Sequence, residues 1–145
     1  MMRSIVGPSL ILPALWFCSG CGSSQSDRIE TFPVRGKVLV DGEPVEDLAV
    51  ICVRLSEADK ENPTQSQCLT QKDGSFQIGT YESKDGVPEG EYALTFRWGA
   101  WNRFSHSYEG DKLDGRYLDA KDPVKKFTVE KGKPTELGEI KLTTK

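Results

Sequence analysis

The stretch that decides the fold is Cys68–Ile78, with the sequence C-L-T-Q-K-D-G-S-F-Q-I. Two short runs with alternating apolar residues flank Asp73-Gly74. Glycine takes positive φ without steric cost and aspartate tolerates it, so this pair favours a tight hairpin turn. We therefore expect Leu69–Gln71 and Phe76–Ile78 to be antiparallel neighbours, around which the other strands are arranged.

Outward from this stretch, further runs have the two-residue period or the continuous apolar character that is typical of strands. Glu91–Trp98 alternates most clearly. Tyr92, Leu94, Phe96 and Trp98 are predicted to face inward, and Ala93, Thr95 and Arg97 outward. Glycine- and proline-containing turns separate the runs, and no convincing amphipathic helix follows residue 21. About seven strands of this spacing predict an all-β sandwich. The other runs are Val34–Val40, Leu48–Leu55, Lys126–Glu130 and Leu137–Thr143.

The first 20 residues have the three parts of a secretory signal peptide. Arg3 supplies the positive region, Leu10–Phe17 the apolar core and Ser19-Gly20 the small residues before cleavage. The apolar core is too short to form a stable transmembrane helix, and Pro13 interrupts it. We therefore predict an extracytoplasmic protein.

The residues Cys18-Ser19-Gly20-Cys21-Gly22 resemble the lipobox of bacterial lipoproteins, although Cys18 stands where that family usually has leucine. The resemblance implies cleavage before Cys21 and acylation of its sulfur, with palmitate or a similar chain. The alternative is an ordinary signal peptide with Cys21 as a spare thiol. The expected organisation is a signal peptide over 1–20, a polar tether over 21–31 and a sandwich over 32–142.

Four short motifs carry a second resemblance. These motifs are similar to those of the carboxypeptidase regulatory-like domains, which are found in many bacterial lipoproteins. The resemblance implies a single seven-stranded Ig-like sandwich of the transthyretin-like (prealbumin-type) class, without catalytic activity. The motifs are Val34-x-Gly36-x-Val38, Asp41-Gly42-Glu43-Pro44-Val45, Thr70-x-x-Asp73-Gly74-Ser75-Phe76 and Gly86-Val87-Pro88-x-Gly90-Glu91-Tyr92.

Cys52 and Cys68 occupy inward positions on strands that we expect to be neighbours. In an oxidising compartment they form an even pair once Cys21 carries lipid. A disulfide between them would close a loop of about 15 residues and stabilise by roughly 3 kcal/mol. The alternative is two buried free thiols that pack as small apolar groups.

Composition and motifs exclude several classes of function. A formal net charge of -3 over 145 residues argues against a nucleic-acid partner. His106 is the single histidine and has no nucleophile elbow to accompany it. Asp111, Asp114, Asp119 and Asp122 lack the spacing of a calcium loop, so we expect no metal and no cofactor.

Aromatic side chains cluster in the long charged segment Gly99–Asp122 and just before it. Trp98, Trp101 and Tyr108, with Phe104 between them, could form an exposed platform that stacks on sugar rings or on a partner. The alternative is that Trp98 ends a core strand and the others pin the segment against the sandwich.

Together these features predict a lipoprotein, anchored to a bacterial membrane in the cell envelope, whose sandwich is a non-catalytic structural or protein-interaction module. The alternative is a carbohydrate-binding module that uses the segment Trp98–Tyr108. The partner would then be an envelope protein or a glycan. An enzyme would have to rest on His106 and the carboxylates alone.

Overall fold

The computed structural model describes residues 28–56 and 65–145, which contain strands and no helix. The predicted signal peptide, Cys21 and the tether up to residue 27 lie outside the described residues, as do residues 57–64 of the predicted loop. The strands are β1 Thr31–Phe32, β2 Val34–Val40, β3 Glu43–Pro44, β4 Ala49–Arg54, β5 Ser66–Leu69, β6 Ser75–Gln77, β7 Val87–Pro88, β8 Gly90–Arg97, β9 Ala100–Asn102, β10 Ser107–Glu109, β11 Lys125–Val129 and β12 Thr135–Leu142.

The first large sheet has the strand order β11-β8-β4-β5, and every pairing in it is antiparallel. The predicted alternation along β8 is confirmed, because Tyr92, Leu94 and Phe96 all point into the core and are buried. Ala93 and Thr95, which the sequence predicts to face outward, do lie on the opposite face, but they are buried as well. β8 is therefore an interior strand of the sheet, covered to a large extent on both faces.

The second large sheet has the order β12-β2-β3, and β6 also pairs with β2. β12 runs parallel to β2, whereas β3 and β6 run antiparallel to it. Val34, Val38 and Val40 line the buried face, as the sequence predicts. Asp41 and Gly42 have φ values of 51° and 89°, so they form the tight turn from β2 to β3 that Asp-Gly favours.

Buried residues of both sheets form one hydrophobic core. Val38, Phe76 and Ile140 come from the second sheet, and Val50, Leu94 and Val129 from the first. The prediction of an all-β, sandwich-like chain is therefore confirmed. Tyr92 also donates a hydrogen bond to the carbonyl oxygen of Pro88 at 2.9 Å, which satisfies its buried hydroxyl.

The predicted hairpin around Asp73-Gly74 forms only in part. The N–H of Gln71 donates to the carbonyl oxygen of Ser75 at 2.9 Å, and Gln67 and Gly79 form an isolated antiparallel bridge between the two arms. β5 pairs with β4 in the first sheet, whereas β6 pairs with β2 in the second. The turn itself forms, since Gly74 has φ 76° and its N–H donates to the carbonyl oxygen of Gln71 at 2.8 Å. It therefore carries the chain from one sheet to the other.

Thr70 supplies the physical reason for this crossover. Its buried hydroxyl donates to the carbonyl oxygen of Val45 at 2.6 Å and accepts from the N–H of Leu48 at 3.0 Å. Its backbone N–H also donates to the carbonyl oxygen of Leu48 at 2.9 Å. These bonds hold the end of β5 against the segment before β4, so the chain leaves Thr70 toward β2.

The registers define two ends of the sandwich. β2 and β8 both begin at the end where β1 pairs with β7, and the chain enters the described fold there. We call this the entry end. β8 finishes at Arg97, opposite Ala49, at the other end, and β9 and β10 follow directly. We call that the hairpin end.

Candidate functional site: the aromatic hairpin

β9 and β10 form an antiparallel hairpin at the hairpin end of the sandwich. The hairpin lies within Gly99–Asp122, the segment in which the aromatic side chains cluster. Trp101 lies opposite Tyr108, and residues 103–106 form the connecting turn. Phe104 in this turn is 99% exposed and Trp101 is 61% exposed. An organised turn that presents a fully exposed phenylalanine is the strongest candidate for a contact surface among the described residues.

Two backbone N–H groups and the serine hydroxyl of the turn are bonded within the hairpin. The side-chain oxygen of Asn102 accepts from the N–H of Phe104 at 2.9 Å and from that of Ser105 at 3.4 Å. The carboxylate of Glu109 accepts from Ser105, from the hydroxyl of Ser107 at 2.6 Å and from the amide of Asn102 at 2.9 Å. These three bonds, led by that from Ser105, lower the pKa of Glu109 to about 2.

Tyr108 fixes the base of the hairpin to the sandwich. Its hydroxyl accepts from the N–H of Gly99 at 2.7 Å and donates to the carbonyl oxygen of Asp47 at 2.5 Å. The Arg97 guanidinium lies 5.6 Å from its ring centroid, within the range of a cation–π contact. Burial raises the pKa of Tyr108. The hairpin therefore stands in a defined orientation.

Asp111 organises the segment that follows. Its carboxylate accepts from the backbone N–H groups of Trp98, Leu113 and Gly115, each at 3.0 Å. Leu113, whose N–H makes one of these bonds, is fully buried. Asp111 is thus a structural carboxylate rather than a solvated one.

The described residues contain no group of three or more histidine, cysteine, aspartate or glutamate side chains that could hold a metal ion. His106 lies exposed in the hairpin turn with φ 52°. It is thus a surface residue of the hairpin.

The residues of the predicted platform have different surroundings. Trp98 is partly buried against the core, and the ammonium of Lys112 lies 4.3 Å from its ring centroid. Tyr108 is half-buried, and Trp101 alone of the three is exposed. Phe104, which lies between the predicted platform residues in the sequence, is the most exposed aromatic side chain of the hairpin. Its position as a single aromatic residue within N-R-F-S-H, a polar turn, is the signal that could have identified it.

Cys52 and Cys68 are free thiols, so the disulfide that the sequence favours is not formed. Both lie on the predicted neighbouring strands, but Cys52 pairs with Ser66 and Cys68 with Val50. This offset makes the cysteines diagonal neighbours, about 7 Å apart, where a disulfide needs Cβ atoms about 3.8 Å apart. Burial raises the pKa of both thiols, that of Cys68 to about 12.

In the part of the chain that the structure describes, no helix has the length and apolar character needed to cross a membrane. Comparison with models of known protein families finds no match, and comparison with curated proteins finds none either. Among solved structures, the chain is similar to a 9R-lipoxygenase from Cyanothece PCC8801 at 10% identity and a TM-score of 0.41. The match covers 78% of this chain but only 16% of the lipoxygenase.

The expectation that the chain is not an enzyme is corrected here, because the matched protein is an enzyme. A likeness this distant carries no argument for lipoxygenase activity in this chain. The chain is therefore assigned neither that chemistry nor a lack of catalysis.

Proposed function

We propose that this chain is a cell-envelope lipoprotein, held to a bacterial membrane through acylated Cys21, whose sandwich serves as a structural or interaction module. The support lies in the sequence Leu10–Phe17 followed by Ser19-Gly20-Cys21, since a short apolar core before small residues and cysteine fits a cleaved and lipidated leader. Two or more acyl chains would give stable anchoring where one is marginal.

We further propose that the domain is a seven-stranded, transthyretin-like sandwich of the carboxypeptidase regulatory-like type. Seven strands of the two large sheets have three or more residues, which agrees with that number. They are β2, β4, β5, β6, β8, β11 and β12. The quoted motifs supply the Asp41-Gly42 and Asp73-Gly74 turns and the buried Tyr92.

The contact element of the module is the β9–β10 hairpin. One observation carries this proposal: Phe104 is 99% exposed on a turn that the side chains of Asn102 and Glu109 hold in place. Exposed aromatic side chains on a fixed scaffold are typical of contact sites, because little conformational freedom is lost when they bind. The entry end, where a tether from Cys21 would arrive, is opposite the hairpin.

The carbohydrate alternative has less support from the geometry. Sugar stacking needs free ring faces, and a cation lies over each of two predicted platform rings, Arg97 over Tyr108 and Lys112 over Trp98. Trp101 is the remaining ring of the three for such a contact. A polysaccharide pull-down that is lost in Trp101→Ala would favour this alternative over the proposal.

Metabolic labelling with palmitate in a bacterial host tests the anchor. Cys21→Ser should lose the label and leave the membrane fraction, whereas the matched variant Cys18→Ser should keep both. Label that persists in Cys21→Ser would overturn the proposed anchor. Mass spectrometry of the N-terminal peptide reports the same event independently.

Photo-crosslinking in intact cells tests the contact element. A photoreactive residue at position 104 should give discrete adducts, while one at Leu69, which is 49% exposed on β5, should not. Equal adduct patterns from both positions would rule out the hairpin as the specific contact.

A further inference from the structure

We infer that the outer edge of β12 pairs with the same edge of a second copy of this chain, so that the protein forms a symmetric dimer. The residues that make this contact are Glu139, Ile140 and Lys141, which we call the self-pairing edge. The contact goes beyond the proposed function, because it uses neither Cys21 nor the aromatic hairpin.

β12 is an outer strand of the second sheet, and within the described part of the chain it pairs with β2 alone. The carbonyl oxygen of Leu142 accepts from the N–H of Asp41 at 3.0 Å, so the backbone groups of Leu142 point to β2. Backbone groups alternate in direction along a strand, so those of Ile140 also point to β2. Those of Glu139 and Lys141 point away from it and form an open edge.

The open part of this edge is short and well defined. At one end, the N–H of Thr143 donates to the hydroxyl of Tyr117 at 3.0 Å, which occupies the edge there. At the other end, the strand has an irregularity in its register, and Gly138 has φ 69°. The side chains of Glu139 and Lys141 are 45% and 77% exposed. Pairing with another strand is therefore confined to the self-pairing edge.

The charges of the self-pairing edge are complementary to themselves. In an antiparallel pair of two β12 strands centred on Ile140, Glu139 of each copy lies opposite Lys141 of the other. Opposite charges that face each other across two strands stabilise the pair, whereas like charges destabilise it. An edge that is protected by like charges would repel its own copy. Here both cross-strand pairs attract.

The backbone selects the same register. Two antiparallel strands exchange hydrogen bonds only between residues whose groups point to each other, which are Glu139 and Lys141 in both copies. Two neighbouring registers also satisfy this condition, but they place Glu139 opposite Glu139 or Lys141 opposite Lys141. The register centred on Ile140 alone combines matched backbone groups with opposite charges. Main-chain hydrogen bonds then supply the affinity, as in other cases of strand addition.

The pairing does not disturb the core of either copy. The side chain of Ile140 is 4% exposed and stays in the core, because the new bonds form at the edge of the sheet. Within one copy, the ammonium of Lys141 lies 3.7 Å from the carboxylate of Glu139. In the dimer these two groups and their counterparts form a cluster of four charges with alternating sign.

Analytical ultracentrifugation of the full chain with Cys21→Ser tests the dimer, since acylation then plays no part. Lys141→Glu and Glu139→Lys should each raise the dissociation constant by roughly tenfold or more, because each replaces two attractive pairs with two repulsive ones. The two substitutions together should restore dimerisation. Lys72→Glu makes the same charge change at an exposed turn beyond the opposite edge of the sheet, and it should leave the dissociation constant unchanged.

Two further measurements test the register. An equal mixture of the Lys141→Glu and Glu139→Lys chains should form heterodimers, although each chain alone is mainly monomeric. Lys141→Pro removes an N–H that β2 does not use, so this variant should stay folded by circular dichroism and lose the dimer. A parent chain that remains monomeric at about 1 mM would overturn the inference. So would a dimer whose dissociation constant is the same in Lys141→Glu and Lys72→Glu.

Discussion

Replacement of Thr70 by valine isolates the hydrogen bonds that direct the crossover between the sheets. Valine matches threonine in shape and favours strands at least as well, so burial and β-propensity alone predict a neutral or stabilising change. The structure predicts the opposite. Without the hydroxyl, the carbonyl of Val45 and the N–H of Leu48 lose the partner that lies at 2.6 and 3.0 Å.

The expected loss can be worked out from these two groups. Each buried backbone group left unsatisfied costs about 1–3 kcal/mol. The added methyl group recovers about 0.8 kcal/mol. Thr70→Val should therefore lower the free energy of unfolding by about 1–5 kcal/mol, a large share of the 5–15 kcal/mol typical of a domain.

Thr70→Ser is the matched control, because it keeps the hydroxyl and removes one methyl group. It should cost only about 1 kcal/mol. Urea unfolding followed by tryptophan fluorescence gives both values, provided that the m-value stays constant. If the valine variant is as stable as the parent, or more stable than the serine variant, the Thr70 hydroxyl does not hold the crossover.

Three further outcomes follow from single contacts. Gly74→Ala should lower the free energy of unfolding by at least about 2 kcal/mol more than Gly132→Ala in urea unfolding. Both have φ near +75°, but a Cβ at Gly74 would lie 2.4 Å from a β2 carbonyl oxygen, whereas Gly132 has open space; equal losses would contradict this. Because hydrogen bonds lower the pKa of Glu109 to about 2, their contribution to hairpin order is full above the ordinary value of 4.5. This contribution is lost as pH falls through 2. NMR titration of the Glu109 carboxyl measures its pKa, and a titration midpoint near 4.5 would be inconsistent with the hydrogen bonds. Cys52 and Cys68 should resist alkylation at pH 8 until the chain is unfolded in denaturant, and peptide mapping that finds them bridged in the native protein would contradict the diagonal register.

Much of the fold could be predicted from local pattern. The inward faces of β2 and β8 follow from strict alternation, because a two-residue period fixes which side chains share a face. Asp41-Gly42 also forms the turn that its residues favour. In each case the information lies within a few neighbouring residues.

The arms of the Asp73-Gly74 turn show where local pattern is incomplete, because they bond to each other only around Gln71–Ser75 and Gln67–Gly79, while β5 and β6 pair along their length with other strands. Turn chemistry specifies the backbone angles of two residues and leaves open which strands the arms will join. That choice was made by the Thr70 hydroxyl and its partners 25 and 22 residues earlier in the chain. The disulfide prediction fails for a related reason. Local pattern places Cys52 and Cys68 on neighbouring strands, but it does not fix the register between those strands.

The sequence locates the candidate site as a segment but does not decide which of its aromatic residues pack against the sandwich and which are exposed. Alternation marks Trp98 as the end of a strand, but it cannot show that Lys112 comes to lie over its ring. Tyr108 likewise supports the hairpin partly through the carbonyl oxygen of Asp47, which comes from a distant part of the chain. The exposure of Phe104 depends on the bonds of Asn102 and Glu109, which an ordinary polar sequence does not reveal.

The hairpin and the core are held by largely different interactions, and this separation has a consequence for function. The core depends on buried apolar residues contributed by both sheets, whereas the turn around Phe104 depends on Asn102, Glu109 and two serines. Phe104 is almost entirely exposed, so its removal takes little from the core. Selection or mutation can therefore change the contact made by the hairpin while the sandwich that positions it remains intact.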